Sequence, residues 1–131
     1  MSAVVWWWAV AAAVVVVILA RLLIGPIQQG RDALARRRQA RQRAEKLLLA
    51  WLSPEQGAQY RTSGRFEVTT VAGHHYRVCP GGVVRLDPRG WAYCIEATTP
   101  VPVADELLAF KLLLETDEPL FLATAHRYPW R

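Results

Sequence analysis

The stretch HHYRVC at residues 74–79 sets two imidazoles, a guanidinium and a thiol within six positions, and a second thiol follows at Cys94. Imidazole and thiolate are the usual zinc ligands, and a thiol beside an imidazole is the pairing of cysteine nucleophiles. On a strand, successive side chains point to opposite faces. His74, Tyr76 and Val78 then share one face, and His75, Arg77 and Cys79 share the other, so the two histidines cannot ligate one ion without a bulge. If Tyr76 and Val78 face a core, His75 and Cys79 lie outward. Were Trp91, Tyr93 and Ile95 to point inward on an adjacent strand, Cys94 would join them.

His75, Cys79 and Cys94 are therefore the candidate metal ligands, and Cys79 with His75 the candidate nucleophile and base. Neither cysteine has the C-x2-C partner of a closed zinc site. A nucleophilic pair also needs an oriented third group, and sequence shows residue types without distances. Asp105-Glu106 and Asp117-Glu118 fall at helix starts, where the dipole favours carboxylates, and read as caps and not as an acid/base pair. No phosphate loop or HExxH is present. The expectation is no catalytic residue, no metal and no cofactor, with 74–79 as an ordinary strand that has a polar outer face.

The elements that position this strand occupy the second part of the chain. Its 131 residues allow one small domain with appendages. Residues 1–50 carry eight Lys/Arg against two acids, a balance of +6, whereas residues 51–131 carry eight against nine, a balance of −1. The basic pI thus belongs to one segment.

Residues 3–20 form an unbroken apolar run, and after Arg21 it resumes up to Gly25-Pro26. Residues 3–24 would span about 33 Å as a helix, matching a hydrocarbon core of about 30 Å. A single segment in lipid satisfies its backbone only as a helix, so residues 1–25 read as a transmembrane helix. Trp6, Trp7 and Trp8 fit an interfacial belt, and Arg21 can snorkel at the other end. A cleaved signal peptide would want a basic stretch ahead of the run, where only Met1 and Ser2 stand. The positive-inside bias puts the N-terminus outside and the C-terminal domain in the cytoplasm.

Gly25-Pro26 reads as a break, with Pro in the first turn of a new helix. Residues 26–52 then read as a basic amphipathic juxtamembrane helix. Arg36, Arg37, Arg38, Arg41 and Arg43 are placed to meet anionic headgroups, at about 1 kcal/mol for each cation near the surface. Equally, they can be a solvated segment that only sets topology. Nucleic acid is disfavoured as a partner because no aromatic residue is interleaved to stack bases.

Residues 53–126 read as a small α+β domain, with 127–131 as a tail. Ser53-Pro54-Glu55-Gln56 has the form of a capping box. Residues 65–71, 74–79, 83–86 and 91–96 alternate between Gly/Pro turns, predicting an antiparallel sheet of three or four strands. Helices over 103–115 and 118–125 would pack on it. The surplus of apolar residues on the first of these marks Leu108, Phe110 and Leu112 as partner contacts, or as the mark of a sandwiched helix.

From Leu52 to Ala125 the pattern LSPEQ, then Gly64, Phe66 and Val68, YRV at 76–78, and D.LLA.KLLLE..E..FL..A from Asp105 resembles a small domain found in uncharacterised bacterial proteins. That resemblance implies the fold and brings no activity with it. The expected function is a single-pass, membrane-anchored, non-catalytic interaction module. It would be an accessory or structural subunit of a larger membrane assembly, with the bilayer and other subunits or further copies as partners. The alternatives are a pilin-like filament subunit with a Cys79–Cys94 disulfide, and a membrane-tethered enzyme or metal site using Cys79 and His75. Against the pilin plan, residue 5 is Val5 where those subunits usually carry Glu, and the arginines would have to be exported.

Overall fold

The structure, a computed structural model, describes residues 2–130; Met1 and Arg131, the outer residues of the expected anchor and tail, lie outside the described residues. The first element is one continuous helix, α1, Ser2–Trp51. The expected break at Gly25-Pro26 is absent, and Pro26 sits inside the helix. Pro26 forfeits one backbone hydrogen bond. Ending and restarting the helix there would leave up to four carbonyls and four amides without partners and require a second nucleation.

The chain divides into two compact units, residues 1–39 and 40–131. In the first, α1 is the one helix among the described residues that is long and apolar enough to cross a membrane. None of its apolar window is buried. It is a candidate span by length and composition, a test that a signal sequence also passes.

The second unit begins with the last turns of α1. Next comes α2, Pro54–Ser63, whose capping box is formed: Ser53 Oγ accepts from Gln56 N at 3.2 Å and Gln56 Oε1 accepts from Ser53 N at 3.1 Å. It ends at Gly64, whose φ of 69° is the left-handed cap that glycine adopts without strain. The sheet runs through β1, Phe66–Thr69; β2, His75–Cys79; β3, Gly82–Leu86; and β4, Arg89–Cys94. After α3, Val103–Thr116, and α4, Glu118–Thr124, the chain returns as β5, His126–Pro129.

All pairings are antiparallel, and the strands lie in sequence order, giving an open five-stranded sheet. The fifth strand comes from the expected tail. Four residues with a proline carry no period-two signal, and β5 is brought to β4 only because α3 and α4 return the chain there.

One face of the sheet supplies Phe66, Val68, Tyr76, Val78, Val83 and Tyr93 to the core. The helices add Leu107, Leu114 and Phe121, and α1 adds Ala44 and Leu48. Each large side chain buried here contributes about 1.5–3 kcal/mol. Leu108 and Phe110, expected as partner contacts, belong to this same core, and Leu112 is half-buried against it. The apolar surplus of α3 arises because it is covered on several sides, by β1, β2 and α4 among others.

The free edge of β1 is not left bare. Gln59 Oε1 accepts from Glu67 N at 2.8 Å, and Gln56 Nε2 donates to Glu67 O at 2.9 Å. Two glutamines of α2 thus occupy ladder positions that another strand would otherwise take.

Candidate functional site

β2 places the suspected residues as the alternation requires. Tyr76 and Val78 are fully buried, and His75 faces outward, its Nδ1 3.1 Å from Thr69 Oγ1 on β1. Cys79 lies four residues further along the strand, roughly 13 Å away at strand rise. β3 lies between β2 and β4, so Cys94 is two strand spacings across, about 10 Å, and outside the reach of a disulfide. His75, Cys79 and Cys94 are therefore not brought together, because the adjacency that the cluster needed does not exist. Both cysteines are free.

Neither thiol is activated. Burial pushes the Cys79 thiol up, against the lowering influence of Arg65 and Arg77. Burial, with Glu106 and Glu96 adding to it, pushes Cys94 up as well. Nucleophilic and metal-binding cysteines need the opposite shift.

The polar cluster that does form lies on the other face. Glu118 Oε1 accepts from the Tyr76 hydroxyl at 2.5 Å and sits 2.8 Å from His74 Nδ1. Thr70 Oγ1 accepts from His74 N at 3.3 Å, and Thr70 N donates to His74 O at 2.9 Å, closing the β1–β2 turn. Thr70, Tyr76 and Glu118 are all buried. Burial alone would raise the Glu118 carboxyl, but hydrogen bonds from Tyr76, Thr70 and His74 hold it below the usual carboxylate range. Burial and Glu118 together push the Tyr76 phenol well up.

Glu118, on α4, thus engages Tyr76 and His74 of the β1–β2 region, and the arrangement ties α4 to the sheet. Glu118 had the sequence signature of a dipole-favoured cap. In the structure Asp117 does that work, its Oδ1 accepting from Leu120 N at 3.0 Å, and Glu118 turns inward. One signal for this existed: Tyr76 on the core face requires a partner for its hydroxyl.

The residues read for membrane contact lie on α1. Trp6, Trp7 and Trp8 are 74%, 77% and 73% exposed. Arg21, Arg36, Arg37, Arg38, Arg41 and Arg43 are exposed, and none joins an ion pair among the described residues. No family model, curated protein or solved structure matches the chain.

Proposed function

We propose that the protein is a single-pass membrane-anchored, non-catalytic interaction module, with its N-terminus outside and residues 40–131 in the cytoplasm, serving as an accessory subunit of a larger membrane assembly. The observation that carries this reading is the apolar half of α1, which has none of its window buried and is followed by arginines that join no ion pair among the described residues. An apolar surface of that length needs lipid or protein around it. The arginines after it meet the positive-inside bias and the attraction of anionic headgroups. The small folded unit adds a buried Glu118 already engaged by Tyr76 and thiols whose pKa values are raised, which suits a surface for binding better than a centre for reaction.

Alkaline carbonate extraction and vesicle flotation of the full chain test the anchor. Release into the soluble fraction overturns it. Labelling of Cys79 and Cys94 in intact cells with permeant and impermeant thiol reagents, followed by a denaturing step that reveals the thiols left unreacted, tests the orientation. Protection from the impermeant reagent alone is expected, and labelling by both reverses the topology.

A further inference from the structure

On the second unit, Ile95, Val101, Ala109, Phe110 and Leu113 line an open apolar groove of about 360 Å³, beside Asp105 and Glu106 in the first turn of α3. Val101 is 47% exposed, and neither carboxylate joins an ion pair among the described residues. Val101 also lines a neighbouring cleft with Arg41 and Glu45.

The same chain carries a complementary surface. Arg31, Leu34 and Arg38 stand at positions i, i+3 and i+7 of α1, on one helical face. Leu34 is 52% exposed, and the two arginines join no ion pair among the described residues. An apolar side chain between two cations matches an apolar groove beside two anions.

We infer that the groove receives the Arg31–Leu34–Arg38 face of a second copy of this chain, making the module self-associating at the membrane surface. The inference rests on the anchored reading above. Copies inserted in one orientation hold like segments at like heights, and confinement to a bilayer raises their effective concentration. If each copy uses its groove and its helix on the same neighbour, the contact closes as a two-fold dimer.

The test is energy transfer between full-length chains carrying donor or acceptor dyes at the C-terminus, reconstituted in phosphatidylcholine vesicles so that anionic lipid does not compete. One variant carries Asp105→Arg with Glu106→Arg, and the other carries Arg31→Glu with Arg38→Glu. Each variant alone places like charges at both contacts, and transfer should fall several-fold toward that of an unrelated single-span control. A mixture of the two variants restores opposite charges at both contacts, and transfer should return toward the wild-type level. Recovery in the mixture also excludes misfolding as the cause of the loss.

Absence of transfer in the wild type, unchanged transfer in the single variants, or failure of the mixture to recover overturns the inference; in the first case the groove is left to a different basic helix or to none. A chain that does not float with the vesicles overturns the anchored reading, and the inference with it. A chain that floats without these transfer effects overturns the groove contact alone.

Discussion

The Tyr76 hydroxyl donates to Glu118 Oε1 across 2.5 Å, joining the centre of β2 to the first turn of α4 over a sequence separation of 42. Both residues are buried, so the bond is shielded from water. Tyr76→Phe removes the donor and leaves the carboxylate with less compensation for its burial, at a cost of about 1–3 kcal/mol. A fall in the thermal midpoint at neutral pH, with the far-UV spectrum unchanged, is the expected result.

The same carboxylate sets an acid dependence. Its folded-state pKa lies below its ordinary value, so Glu118 contributes stability above the unfolded value of about 4.3. That stability is lost as pH falls through the lower folded value. Denaturation midpoints of the wild type should decline below about pH 4.3, and Glu118→Gln should flatten this decline. An identical acid limb in the variant would remove Glu118 from the account.

Gly82 is held by a neighbouring backbone. A Cβ there would sit 2.7 Å from Tyr93 O and 3.2 Å from the Tyr128 hydroxyl. The carbonyl belongs to the sheet and cannot swing aside as a side-chain end can. Gly82→Ala should destabilise by about 1–3 kcal/mol, read by chemical denaturation.

The two glutamines that cover β1 should differ in cost. Gln59→Ala removes one hydrogen bond to Glu67 at a partly hydrated edge, about 0.5–1.5 kcal/mol. Gln56→Ala loses its bond to Glu67 O and its bond to Ser53 N, so it should cost more. Both should lower the temperature at which light scattering rises, because an uncovered edge pairs with other chains.

Cys79 and Cys94 should both titrate as free thiols under non-reducing denaturation, and in the folded chain both should alkylate more slowly at neutral pH than a model thiol. Burial and raised pKa values each reduce the thiolate available to react. A disulfide between them would require β3 to leave its place between β2 and β4.

The elements were legible wherever local chemistry decides them. The apolar run of residues 3–24, the Ser53–Gln56 capping box, and the Gly and Pro turns between strands follow from backbone sterics and period, which act within a few residues. That Tyr76 and Val78 share one face, opposite His75 and Cys79, followed from alternation alone.

Local rules misplaced the outcome where a distant partner decides it. Pro26 reads as a stop, yet the helix continues, since the cost of two new helix ends exceeds that of one lost bond. Residues 126–129 carry no strand pattern and become β5 because β4 offers an unpaired edge. Leu108 and Phe110 were read as partner contacts or as the mark of a sandwiched helix, and the sheet and α4 make them core. His75, Cys79 and Cys94 resembled a site because their types were right, but His75 and Cys79 stand at opposite ends of β2 and the interposed β3 keeps Cys94 from both. Glu118 resembled a cap, and a buried hydroxyl 42 residues away drew it inward. Sequence alone determined the apolar run, the capped helix after Ser53, the first four strands and the two helices that follow them, because those choices are set by neighbours in the chain; only the tertiary structure decided the fifth strand and which side chains meet, because strand order and helix packing bring together residues whose separation in sequence carries no record of their distance in space.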